Sequence, residues 1–419
     1  MDKEPAIIPD SRPHLPLLDG VRGLAIFLVM LFHMTYVGGG FEPPAAGLGA
    51  VDSAARSVFS VGWCGVDLFF VLSGFLITGI LYDTRAGEGY FRIFYARRAL
   101  RIFPLYYLVV FVSLVLLPAI GAHLSAAAQG KLARFGSIAG DEWMYWTYLS
   151  NYAIALAGKY RHGILDISWS LAIEEQFYLV WPAVVLCFSR RTLMKICVGA
   201  AVAAVATRCG MVWSGASAIA VHVLTPCRLD ALAVGAFLAL AVRGPGGLAP
   251  LVRLARPLSV VLGAVLLCDL GYRAISRTGR AGEEGLFSAN LPELQTVGLS
   301  VIAIFFGAVL VLVLDVQQRA SGGGVIGRVM GSRILRAFGK YSYAMYLFHL
   351  PIRAVPRDLL FAKQIPLIAG MQLPAQIAFA AGCMALTFGA AWLSWNLYEK
   401  RWLALKRFFE YGERRRVGS

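Results

Sequence analysis

Ten stretches of this chain are apolar and long enough to cross a lipid bilayer, at about residues 18–37, 59–82, 102–121, 171–188, 193–212, 225–242, 257–273, 296–314, 337–352 and 375–397. A spanning helix needs about 20 mostly apolar residues, which each of these runs approaches. With 58% hydrophobic and 15% charged residues in 419, and a mean hydropathy of +0.66, the composition is that of an integral membrane protein. The expected fold is all-α, a polytopic bundle of about ten transmembrane helices. Asp67 in the second run and Arg228 and Asp230 in the sixth penalise hydropathy, so the ends of those helices are loosely bounded.

The net charge of +15 does not mark a nucleic-acid binder, because no basic stripe with interleaved aromatics is present. The basic residues instead cluster in every second connection: Arg92-Arg97-Arg98-Arg101, Arg190-Arg191-Lys195, Arg243-Arg253-Arg256, Arg319-Arg328-Arg333-Arg336-Lys340, and Lys400 to Arg416. Positive charge stays cytoplasmic, so the alternation predicts both termini on the cytoplasmic side of an inner (cytoplasmic) membrane. Residues 1–17 read as a cytoplasmic N-terminal segment without the pattern of a cleaved signal peptide, and 398–419 as a basic cytoplasmic tail.

The opposite connections carry Gly38-Gly39-Gly40 and the long stretch 122–169. That stretch contains Trp143-Met144-Tyr145-Trp146-Thr147-Tyr148 and a weakly apolar 152–157 segment too short to span. It is expected to be interfacial or re-entrant and to roof a cavity from outside, although an aromatic belt at the membrane surface accounts for most of the rings. Seven scattered cysteines without a C-x-x-C pair are expected to be buried packing residues.

Titratable groups inside hydrocarbon are costly and persist mainly where they do work. In the first helix Arg22 and His33 are eleven positions apart, which returns to within about 20° of the same face and separates them by roughly 16 Å along the axis. Asp19 falls near that face. Asp19 and Arg22 alone suit a snorkelling surface pair, whereas a neutral His33 suits a base toward a hydroxyl near physiological pH. Asp67, near the outer start of its helix, either orients His33 or an external hydroxyl, or caps the helix; Ser73 and Gly74 suit close packing.

Arg98 and Arg101 neighbour each other on one helix rim, as an orientation signal or as two forks for the phosphates of a cytoplasmic donor. Glu174 and Glu175 diverge by about 100°, so only one can face a given cavity, and the helix dipole partly accounts for acids at that end. Arg228 and Asp230 are polar intrusions. Ser342 and His349 are roughly 10 Å apart along one helix, which excludes a direct dyad, and His349 before Pro351 reads as an interfacial hydrogen-bonding residue.

Together the Arg22 and His33 pair, Asp67-Leu-Phe-Phe-Val-Leu-Ser-Gly-Phe, Arg98-x-x-Arg101, Trp169-Ser-Leu-Ala-Ile-Glu-Glu-Gln-Phe-Tyr, Arg228-x-Asp-Ala-Leu and Tyr341-Ser-Tyr-x-x-Tyr-Leu-x-His resemble the membrane-bound acyltransferase-3 family, over essentially the whole chain. The resemblance implies an acyltransferase-type transmembrane domain at 18–397 that O-acylates carbohydrates or related hydroxyl compounds, usually with acetyl from acetyl-CoA. It implies functional roles for Arg22, His33, Arg98 and Arg101. Some members carry a C-terminal extracytoplasmic hydrolase-like domain. This chain is expected to be of the stand-alone type, completing transfer within the bundle or handing the group to a separate extracytoplasmic protein.

The expected chemistry has acyl-CoA as donor, no metal, a carbohydrate or glycosylated small molecule as acceptor, and His33 as general base. Arg22 and one of Glu174 or Glu175 would tune it. The rival is a secondary transporter or flippase, against which stands the lack of a visible inverted repeat.

Overall fold

The computed structural model describes residues 15–35, 41–42, 49–123, 140–160, 162–276, 291–319, 324–361 and 363–411. The Gly38-Gly39-Gly40 run, residues 1–14 of the expected N-terminal segment and Arg414-Arg415-Arg416 lie outside them. In hydrocarbon every backbone polar group needs an internal partner, and an isolated apolar run satisfies that only as a helix or within a closed barrel. The described residues are almost wholly helical, and no named strand occurs among them.

In chain order the helices are α1 Pro16–Met34, α2 Ala50–Ser60, α3 Gly65–Thr84, α4 Tyr90–Phe111, α5 Leu117–Gly121, α6 Glu142–Trp146, α7 Ser150–Ala157, α8 Ser168–Cys187, α9 Arg190–Trp213, α10 Ala218–Val223, α11 Thr225–Val242, α12 Ala249–Ser276, α13 Leu299–Arg319, α14 Gly324–Met330, α15 Arg333–Leu359, α16 Leu373–Ser394 and α17 Lys400–Ala404. Nine helical stretches of the described residues are long and apolar enough to span a membrane. The tenth long helix, α15, carries Arg333, Arg336, Lys340, Arg353 and Arg357, which explains why its hydropathy is lower. The protein is thus an all-α, multi-pass membrane protein.

Helix ends depart from hydropathy where charge is helical. The 59–82 run is continuous with α2 through a tight turn at Val61–Cys64. The 102–121 helix starts at Tyr90, so Arg98 and Arg101 lie within α4. Arginine and alanine are good helix formers, but the arginines lower the hydropathy.

Close backbone-to-backbone contacts help organise the bundle, among them those of two helix pairs. Between α1 and α15, a Cβ on Gly23 would lie 1.8 Å from the Leu335 carbonyl oxygen and one on Gly339 1.8 Å from that of Asp19. Between α3 and α11, a Cβ on Gly74 would lie 2.1 Å from the Leu232 carbonyl oxygen. Small residues permit this approach, which matters in lipid, where burial gives helices little reason to associate. Exposed Leu179, Val260 and Leu386 face outward, as contact with acyl chains requires.

The aromatic segment packs on α4. Tyr106 Oη donates to the Tyr145 carbonyl at 2.7 Å, and the Tyr106 and Tyr148 rings stack with centroids 4.2 Å apart. Burial holds the Tyr148 hydroxyl above its ordinary pKa. The cysteine expectation needs correction, because Cys64, Cys197, Cys227 and Cys383 are buried but Cys187, Cys209 and Cys268 are exposed. A thiol is apolar enough to face lipid as readily as the core.

Candidate active site

A cavity of about 950 Å³ enters the bundle between α1, α3, α4, α8 and α15. Its lining runs along α3 from Ile80 to Val66 and along α15 from Arg333 to Tyr346, about 20 Å in each case at 1.5 Å per residue. Cations crowd one end. Arg22 comes from α1, Arg98 and Arg101 from α4, Arg333, Arg336 and Lys340 from α15, and Lys406 from beyond α17, against the acids Asp19 and Glu174. Such a field inside low-dielectric walls selects an anion.

Aromatic rings hold these cations in place. Arg98 lies over the Tyr178 ring at 5.9 Å, and Arg101 and Lys340 lie over Trp395 at 5.7 and 5.5 Å. Arg22 Nη1 is 3.0 Å from Asp19 Oδ1, so the first-helix pair is an ion pair at the cavity wall.

Farther in, the lining turns to hydroxyls and rings. Ser73 Oγ is 2.5 Å from Tyr178 Oη, and Ser170 Oγ is 2.7 Å from Tyr346 Oη. Ser73 was expected to serve packing; it faces the cavity instead. Of the adjacent acids, Glu174 lines the cavity and Glu175 does not. Both sit past the first turn of α8, so the helix dipole does not account for them.

His33 lies beyond this lining. Its Nδ1 is 2.9 Å from the Val29 carbonyl and 3.2 Å from His349 Nε2, while Arg353 Nη1 donates to the His33 carbonyl. His349 Nδ1 is 2.6 Å from the Tyr346 carbonyl. Rings connect the deep end to the pair: Phe69 to Tyr346 at 6.4 Å, Tyr346 to His349 at 5.6 Å, His349 to His33 at 4.9 Å. His349 was expected at the interface and is fully buried, because α15 continues through Pro351 to Leu359. The imidazole partner of His33 is therefore His349, and among the described residues no carboxylate is bonded to the ring.

Asp67 neither caps α3 nor orients His33. Arg228 Nη2 is 2.6 Å from its Oδ1, with both side chains 1% exposed. Arg208 Nη2 similarly meets Asp230 Oδ2 at 2.9 Å, and Ser300 Oγ donates to that same oxygen at 2.5 Å. These pairs tie α3 to α11 and α9 to α11. Ser342 lines the cavity and donates to the Gly339 carbonyl at 3.0 Å. The aromatic residues 143–148 are not among those lining this cavity, and residues 124–139 of the same expected roof lie outside the described residues.

Sequence reasoning gave Arg333, Arg336 and Lys340 an orientation role only; their i, i+3, i+7 spacing was the available signal for a shared face. Among the described residues no three His, Cys, Asp or Glu side chains gather as a metal site would require.

The structure is a polytopic membrane bundle in which a basic cavity lies beside the buried His349 and the partly buried His33, and the class of protein is a membrane acyltransferase. The chain belongs to the acyltransferase-3 family, whose model, described as an acyltransferase domain, matches residues 15–395. It is 27% identical over 364 residues to the peptidoglycan O-acetyltransferase OatA of Listeria monocytogenes, covering 84% of this chain and 52% of that protein. It is 24% identical over 374 residues to the O-acetyltransferase OatA of Staphylococcus aureus, covering 85% and 53%. A putative peptidoglycan O-acetyltransferase of Bacillus subtilis, YrhL, is 31% identical over 171 residues, 40% of this chain and 23% of that protein. The chain spans about half the length of the two OatA relatives. No solved structure matches it.

Proposed function

We propose that this protein moves an acyl group, acetyl in the first instance, from cytoplasmic acyl-CoA to a hydroxyl of a carbohydrate or glycosylated acceptor. The observation that carries the reading is the cavity, whose cationic mouth and hydroxyl-lined interior suit a long donor with phosphates at one end and a thioester at the other. The acyltransferase family and the names of the relatives support the reaction type and a carbohydrate acceptor.

In this reading the basic end faces the cytoplasm, with both termini on that side. Arg98 and Arg101 grip donor phosphates in the manner of guanidinium forks, joined by Arg333, Arg336, Lys340 and Lys406. Arg22 completes the cationic wall, and Glu174, beside Ser73 and Tyr178, marks the middle of the path. The thioester lies at the deep end, by Tyr346, whose ring neighbours His349.

His33 takes the proton of the acceptor hydroxyl as its oxygen attacks the thioester carbonyl. The carbon–sulfur bond breaks, and the proton passes to the departing thiolate, giving ester and free CoA thiol. A covalent acyl-enzyme, or release of the group to a separate extracytoplasmic protein, would use the same cavity and differ in the order of transfers.

The test is incubation of purified protein with radiolabelled acetyl-CoA and a panel of peptidoglycan fragments, glycans and glycosylated small molecules. Label appearing in an acceptor ester with the wild type and lost with His33→Ala supports the reading. A folded wild type that neither transfers nor hydrolyses the donor would overturn it, and uptake of an unmodified solute into vesicles would favour the transporter.

A further inference from the structure

We infer that His349 is the positioning residue of the site, fixing the tautomer of His33 so that Nε2 is the basic nitrogen; this rests on His33 being the base. A carbonyl oxygen accepts hydrogen bonds and never donates them. The Tyr346 carbonyl, 2.6 Å from His349 Nδ1, therefore requires the proton on that nitrogen, which leaves a lone pair on Nε2 of the neutral ring. The Val29 carbonyl, 2.9 Å from His33 Nδ1, sets the same requirement on the second ring. The two conclusions agree at the contact between the rings. His33 Nδ1–H, shared with Val29, points at the bare His349 Nε2 at 3.2 Å.

The arrangement leaves one ring nitrogen of the pair open. Both nitrogens of His349 are engaged and its side chain is fully buried, whereas His33 Nε2 has no partner among the described residues. His349 thus stands where a carboxylate stands in many nucleophile and base systems, orienting the base and accepting from the ring once it becomes a cation. A neutral partner suits this position. Arg353, donating to the His33 carbonyl from the same helix as His349, already places a positive charge beside the pair.

Three histidine replacements separate orientation from packing. Glutamine at 349 reaches the position of Nε2 and presents an acceptor oxygen to His33; asparagine reaches only the position of Nδ1 and retains the Tyr346 contact. Transfer from acetyl-CoA is expected to fall by about 10- to 100-fold in kcat for His349→Ala and His349→Asn, as is usual when an orienting partner is lost, with KM for acetyl-CoA unchanged. His349→Gln is expected to recover most of that loss. Equal kcat for the glutamine and asparagine variants, or wild-type kcat for the alanine variant, would overturn the assignment.

A measurement on the wild type covers variants that do not fold. With ¹⁵N-labelled histidine, NMR of the protein in detergent should show His33 protonated at Nδ1 and bare at Nε2, and the reverse tautomer would refute the proposal. A wild type without transfer activity but with the Nδ1–H tautomer would instead count against the acyltransferase reading and leave the pairing standing.

Discussion

Arg22 lines the basic cavity, whereas His33, on the same face of α1 and three turns further along, lies outside that lining and against His349. One helix thereby serves two environments, a basic cavity wall and an imidazole pair. The division follows from its neighbour α15, which lends Lys340 to the cavity and His349 to the pair.

Removing the imidazole of His33 should leave the bundle intact, because the backbone contacts of α1 with α15 run through Gly23 and Gly339. His33→Ala is expected to lower kcat by about 10²- to 10⁴-fold, the usual contribution of a general base. Initial rates with labelled acetyl-CoA, alongside size-exclusion profiles in detergent, check this; a folded variant with undiminished rate would contradict it.

Arg98→Lys and Arg101→Lys keep the charge but lose the planar fork. Each is expected to raise KM for acetyl-CoA several-fold while kcat changes less. Because the double variant keeps both charges, its donor binding should retain the wild-type dependence on salt. Titrations of rate against donor at two ionic strengths decide it, and an unaltered KM would place the phosphates elsewhere.

The buried Asp67–Arg228 pair makes an asymmetric prediction. Arg228→Met alone strands a carboxylate and should destabilise by about 3 to 5 kcal/mol, whereas Asp67→Leu combined with Arg228→Met should regain much of that loss. Thermal unfolding of the single and double variants in one detergent tests this; additive losses would show that the two side chains do not interact.

Gly339→Ala drives a methyl group into the Asp19 carbonyl and should lower stability by about 1 to 3 kcal/mol as α1 and α15 separate. Gly382→Ala in α16 meets nothing within 4 Å and should be neutral or stabilising by up to about 1 kcal/mol. Identical unfolding temperatures for the two variants would refute the close packing.

The spans, the all-α architecture and the common face of Arg22 and His33 were legible in the sequence because hydropathy and helical period are local properties of the chain. So were the neighbouring Arg98 and Arg101, which share the cavity wall. The six motifs pointed to the acyltransferase family. Helix rotation was another matter: adjacent Glu174 and Glu175 differ by about 100° about the axis, and only the packing of α8 against α3 determines which one meets the cavity.

The same limit governed the partners. Asp67 lies 161 positions from Arg228, and His33 lies 316 from His349. No periodicity within either helix names a partner at such separation. The sequence by itself determined which segments enter the membrane and which side chains they take with them. The tertiary structure decided that Asp67 neutralises Arg228, that Arg333, Arg336 and Lys340 line a cavity, and that His349 rather than a carboxylate meets His33. Those outcomes depend on helix pairing, which glycine contacts such as Gly23 on Leu335 and Gly339 on Asp19 make possible only once the distant segments are brought together.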